Sequence, residues 1–221
     1  MCGRFTITLE AADIEEDLGV SEMPADWLPR YNVAPTQPVA AVIDAGSRRA
    51  EWLRWGLIPS WAKDPKIASQ LINARSETLA EKPSFRQAYA RRRCLILADG
   101  FYEWQRSPGQ KGPSKPYYFQ LAEKKPFAFA GLWETWKSPE GEPLRTCTII
   151  TCAANEVVAP IHERMPVILT GNTAWKWLEP AGIDILNGFL KPYPAEKMTA
   201  IPISRLVNDA NLDSAELIKP V

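Results

Sequence analysis

Six short runs rich in β-branched and aromatic residues dominate the chain: Val39 to Ile43, Glu51 to Leu57, Cys94 to Ala98, Tyr117 to Leu121, Phe127 to Trp133 and Cys147 to Cys152. Such runs read as strands. Helical patterns are few and do not alternate with them. Leu9 to Leu18 and Ser76 to Arg92 have acidic starts and spaced apolar positions, with Pro83 interrupting the second. Thr170 to Leu178 reads as a late helix capped by Thr or Asn, and Ile183 to Leu190 as another. Without βαβ regularity, the pattern predicts an α+β fold on a mainly antiparallel, barrel-like sheet.

A length of 221 residues suits a single domain spanning 1-221. Twenty prolines and twelve glycines punctuate loops, yet no stretch is long enough to be an interdomain linker, and Arg106 to Lys115 is the best candidate for a flexible loop. No apolar run approaches a membrane span and no signal segment opens the chain, so a cytoplasmic protein without membrane contact is expected. Four scattered cysteines, one histidine and no Cys-x-x-Cys predict reduced thiols and no metal or other cofactor. Lys plus Arg equals Asp plus Glu at 26 each, so any nucleic acid would have to be held by a local groove. The Arg91 to Arg93 run reads as a solvated helix end.

The chemistry-bearing feature is Met1-Cys2-Gly3-Arg4. Removal of Met1 before so small a residue would leave Cys2 with a free α-amine, titrating near ~7.7 to 8.0, beside a thiol titrating near ~8.5. Those two groups on adjacent carbons can capture an aldehyde, nitrogen first and sulfur second, in a five-membered thiazolidine. Three polar positions interrupt structured segments elsewhere. Asn73 stands where an apolar pair passes toward a helix start and reads, in isolation, as a cap. Glu103 lies between Tyr102 and Trp104, either an exposed strand carboxylate or one whose apolar surroundings raise its pKa for proton transfer. His162, the sole histidine, suits a loop anchor or a proton carrier equally well. Most tryptophans should be core, but Trp61 sits in the loop-like Gly56 to Lys63 and could present its face to a base.

The blocks Met1 to Phe5, Tyr31 to Pro35, Trp55 to Trp61, Leu71 to Thr78, Ala98 to Trp104 and Ile161 to Pro166, with the closing Ala215 to Val221, closely resemble the SOS-response-associated peptidase (SRAP) family of abasic-site processing proteins. They run in order along nearly the whole chain. The resemblance implies one α+β domain around a bifurcated, barrel-like sheet flanked by helices, with a groove for single-stranded DNA containing abasic sites, including single-strand/double-strand junctions. A monomer is expected, associated with the nucleoid when bound to DNA. It implies Cys2, Asn73, Glu103 and His162 as catalytic residues: Cys2 crosslinks to the opened sugar, Asn73 orients, Glu103 shuttles protons and His162 protonates the ring oxygen. Arg4, Arg75 and Arg164 are then phosphate anchors, Asn32 and Thr151 weaker polar contacts, and Trp61 a wedge. The alternative is a thiol autopeptidase, with Cys2 attacking the peptide bond to its own Met1.

Overall fold

The computed structural model describes residues 2–105 and 114–221. The Arg106 to Lys115 loop therefore lies mostly outside the described residues. Thirteen strands are described: β1 Phe5–Ile7, β2 Arg30–Val33, β3 Pro38–Val42, β4 Ala50–Trp55, β5 Asn73–Arg75, β6 Arg93–Ala98, β7 Gly100–Gln105, β8 Lys115–Leu121, β9 Phe127–Lys137, β10 Pro143–Ala153, β11 Arg164–Pro166, β12 Ile168–Leu169 and β13 Met198–Pro202. The α-helices are α1 Ala11–Leu18, α2 Arg86–Arg91, α3 Gly171–Leu178 and α4 Ile183–Asn187. All six expected strand runs fall on strands, β3, β4, β6, β8, β9 and β10.

Five of them close into a barrel, because β10 pairs with β4, β4 with β3, β3 with β6, β6 with β9, and β9 again with β10. A closed ring with an odd number of strands cannot alternate direction all the way round. The mismatch falls on β4 and β10, the one parallel pair of the five. The long β9–β10 hairpin makes closure possible, since each strand has 11 residues: Phe127 to Leu132 of β9 pair with β6 and Gly131 to Lys137 with β10, while β10 reaches β4 through Thr146 and Cys147. Inside the barrel there is little room. A Cβ on Gly131 would lie 2.8 Å from Cys94 Sγ and 2.9 Å from Ile96 Cδ1, so glycine is required there by close approach.

A second sheet, in the order β13-β8-β7-β1-β2, leaves the barrel where the chain passes from β6 into β7. This is the expected bifurcation. Asp99 fixes the branch: its carboxylate accepts from Thr6 Oγ1 at 2.5 Å and from the Thr8 backbone N–H and hydroxyl at 2.5 and 2.6 Å. Phe5 of β1 then inserts toward the barrel, its ring 5.2 Å from Trp55 and 5.5 Å from Phe129. Full burial of such a ring contributes about 1.5–3 kcal/mol, which anchors the start of the chain to the core.

Four local expectations change. The Ser76 to Arg92 segment is a 3-10 turn over Ser76–Thr78 followed by the short α2, split around Pro83. Asn73 is in strand β5 and caps no helix, and Thr170 makes no side-chain cap bond. Arg93 is buried rather than solvated: its guanidinium donates to the carbonyls of Tyr89 and Ala90 at the end of α2 and of Trp177 and Glu179 at the end of α3. One cation thus caps two helix C-termini, where the macrodipole favours positive charge.

Candidate active site

The residues before β1 continue along β7, since the Tyr102 N–H donates to Arg4 O at 3.0 Å. Continued, that register sets Gly3 opposite Glu103, and the neighbouring Cys2 thiol feels the Glu103 carboxylate. Cys2 is buried, with its thiol 3.8 Å from Arg4 O. Across from it, β5 runs parallel to β10 with Asn73 opposite Ile149 and Arg75 opposite Thr151. Asn73 Nδ2 donates to Cys2 O at 2.8 Å, whereas its Oδ1 is buried without a partner. An open acceptor therefore lies next to the cysteine, of a kind that a buried site fills only when a donor arrives.

Glu103 is buried. Burial pushes its carboxyl above the usual carboxylate range, against the opposing pull of the chain's amino terminus and of His162. The Cys2 thiol is pushed up strongly, first by burial and next by the Glu103 carboxylate. It is held as S–H, with a carboxylate of raised basicity at hand. His162 Nδ1 lies 3.0 Å from the Arg164 backbone nitrogen and 3.2 Å from the Arg164 carbonyl oxygen, which fixes the ring against the start of β11. The strands thus bring together Cys2, Asn73, Glu103 and His162 from four separate stretches of sequence.

The polar flank of the site is built on Thr151, whose rung in β10 is shared with Arg75 on one side and Pro166 of β11 on the other. Thr151 is buried and its carbonyl accepts from Arg164 Nη2 at 2.6 Å. Arg75 is exposed on the same rung. Trp61 is 59% exposed on the turn after Pro59, a loop tied down by Gly56 N–H to Cys147 O, Leu57 N–H to Leu71 O and the Trp136 indole to Ala62 O.

Arg4 and Asn32 are used differently from the expectation of open DNA contacts. Arg4 Nη1 donates to Asn32 Oδ1 at 2.7 Å and to Val207 O at 2.8 Å. Asn32 is 1% exposed, and its Nδ2 donates to Asp209 O at 2.9 Å and Leu212 O at 2.7 Å. Together with the Arg30–Asp213 ion pair and the Tyr31 N–H to Asp213 bond, they fasten the C-terminal segment over β2. Sequence reasoning also passed over Glu77, which grips Arg164 with both oxygens. Its signal was its place two residues after Arg75, on the turn that follows β5.

Among the described residues no group of three or more His, Cys, Asp and Glu side chains is placed to hold a metal ion, and no helix is long and apolar enough to cross a membrane.

Residues 1–210 match the family model described as SOS response associated peptidase (SRAP). The chain is 49% identical to the abasic site processing protein YoqW of Bacillus subtilis (strain 168), over 99% of each chain. It is 35% identical to the abasic site processing protein HMCES of Gallus gallus, over all of this chain and 78% of the relative. Among solved structures, a crystal structure of a Bacteroides thetaiotaomicron protein superposes with a TM-score of 0.85 at 26% identity, covering 100% of both chains.

Proposed function

This chain belongs to the SOS response associated peptidase (SRAP) family, and from that premise we propose that it is an abasic-site processing protein that captures the lesion covalently through Cys2 once Met1 is removed. The observation that carries the proposal is the convergence on Cys2 of a hydrogen-bonding amide, Asn73, and a buried carboxylate of raised pKa, Glu103. The relatives' names supply the ligand: DNA with a missing base.

An abasic sugar exchanges between a closed hemiacetal and an open aldehyde. His162 would deliver a proton to the ring oxygen while the anomeric hydroxyl gives up its own, so that the C–O bond of the ring breaks and the aldehyde forms. The freed Cys2 amine then adds to the aldehyde carbon, and the resulting carbinolamine loses water to give an imine. The thiol adds across that C=N bond, sulfur to carbon and hydrogen to nitrogen, closing a thiazolidine. Overall one water leaves. Burial, by keeping the thiol protonated, supports this order, with nitrogen first and sulfur second. Glu103 moves the protons of both steps, and Asn73 orients the Cys2 backbone and offers its open Oδ1 to the amine or sugar.

The strand bearing the lesion would be single, alone or at a junction with duplex, with its phosphates at Arg75, Thr151 and Arg164 and Trp61 stacking beside the gap. The protein would act as a monomer in the cytoplasm, at the nucleoid when bound. Autopeptidase chemistry at Met1 is less well supported, because a buried, protonated thiol is a poor resting nucleophile.

The test is to incubate the protein with a single-stranded oligonucleotide carrying one abasic site and to look for a band that survives denaturation. The proposal expects the band with wild type and none with Cys2→Ala or with an N-terminal tag that is not cleaved. A stable adduct from either altered protein would overturn it.

A further inference from the structure

Arg164 already holds an anion. Its Nη1 and Nη2 donate to the two oxygens of Glu77 at 2.7 and 2.9 Å, a fork-to-fork pair of the geometry that guanidinium also makes with phosphate. The two partners are not equally free to leave. The Arg164 side chain is 13% exposed and is also fixed by Nη2 to Thr151 O, whereas Glu77 is 53% exposed on its 3-10 turn. Separating them would send the carboxylate into water and leave the guanidinium in place. Arg75, two residues earlier and exposed beside Thr151, makes the surroundings of the fork suited to a second negative group. Glu77, meanwhile, has its carboxyl held below the ordinary range, mainly by the Arg164 bonds.

We infer that Glu77 is an internal stand-in for a DNA phosphate: its carboxylate fills the Arg164 fork in the free protein and yields it to the backbone of an incoming strand. The inference rests on the proposed reading of Arg164 as a phosphate contact. It gives Glu77 a definite task. The carboxylate keeps the guanidinium satisfied and aimed while the site is empty, and it sets a threshold that loosely held strands must exceed. A phosphate bound at Arg164 competes with it, so Glu77 tunes the affinity of the groove without touching the reacting atoms.

The inference is tested with an unmodified single-stranded oligonucleotide, which binds without chemistry, by fluorescence anisotropy across a salt series. Glu77→Gln and Glu77→Ala are measured alone, and Glu77→Gln also in combination with Arg164→Ala. Removing the competitor should tighten binding roughly two- to fivefold, the range expected for a solvent-exposed ion pair that no longer has to be broken. The log-log salt slope should stay the same, since the phosphate contact persists. In the Arg164→Ala background the gain should vanish, which separates competition at the fork from a general loss of negative charge. Weaker or unchanged binding by both Glu77 variants, or a gain that persists without Arg164, would overturn the inference. The reading beneath it fails separately: Arg164→Ala alone would then leave both affinity and salt slope unchanged.

Discussion

Replacing Arg4 distinguishes a phosphate anchor from a brace. Its guanidinium links a buried amide oxygen, Asn32 Oδ1, to the carbonyl of Val207 in the C-terminal segment. Hydrogen bonds from a charged donor contribute about 1.5–3 kcal/mol each, and a buried acceptor left empty adds its own desolvation cost. Arg4→Ala should therefore destabilise the fold by about 3–5 kcal/mol. At about 2–4 °C per kcal/mol for a chain of this size, the melting temperature should fall by roughly 6–20 °C. Arg4→Lys keeps the charge and a nitrogen that can donate to two acceptors, but its side chain is one bond too short to place Nζ where Arg4 Nη1 meets both Asn32 Oδ1 and Val207 O, so it should lose about 1–3 kcal/mol. Urea or thermal unfolding measures both, and anisotropy on an oligonucleotide, at a temperature where each variant is folded, measures the salt slope. The brace predicts lower stability in both variants with the slope unchanged. If Arg4→Lys were as stable as wild type and Arg4→Ala lowered the slope by about 0.7, the behaviour of a lost phosphate contact on a single strand, the reasoning would be refuted.

Glu103→Gln should slow crosslink formation and reversal by about 10² to 10⁴, read from a time course over a pH range, and an unchanged rate at every pH would remove its proton-transfer role. The same change should stabilise the fold at neutral pH. A carboxyl whose folded pKa is raised binds its proton more tightly when folded, so its contribution is present below the unfolded value near ~4.3 and is lost as pH rises through the folded value. The stability advantage of Glu103→Gln should accordingly grow from acid to neutral pH in urea titrations, and a constant difference would contradict it. Arg75→Ala should weaken binding across sequences and lower the salt slope by about 0.7, whereas equal slopes would place Arg75 outside the phosphate path. Gly131→Ala should cost about 1–3 kcal/mol in urea unfolding, because its Cβ would meet Cys94 Sγ at 2.8 Å, and wild-type stability would mean that the barrel interior yields.

The strands were legible because β-branched and aromatic runs report locally on a half-buried, pleated surface, and all six runs fall on strands. Closure of the barrel was not, since it depends on pairings such as Cys147 with Trp55 that join residues far apart in sequence. The same distance hid the brace: Arg4 and Asn32 each appear as isolated polar residues, and only folding sets them against Val207, Asp209 and Leu212. Asn73 looked like a cap because Asn before a polar turn usually is one. Tertiary pairing with β10 instead made it strand and turned its amide to Cys2. Arg93 was misread for a related reason: a run of three arginines signals solvent, yet the carbonyls at two helix ends gave one of them a buried set of acceptors. The chemistry proposed at Cys2 needs no fold to be put forward, because amine and thiol on adjacent carbons are a property of that residue once Met1 is removed.

The central claim is that Cys2 closes a thiazolidine on the abasic sugar with both its nitrogen and its sulfur. Intact mass spectrometry of the product with a single-stranded abasic oligonucleotide tests it most directly. The account predicts one species whose mass is that of the chain without Met1 plus the oligonucleotide, less one water, with no free thiol at Cys2 on alkylation under denaturing conditions. An adduct that retains Met1, or one in which the Cys2 thiol still alkylates, would contradict it.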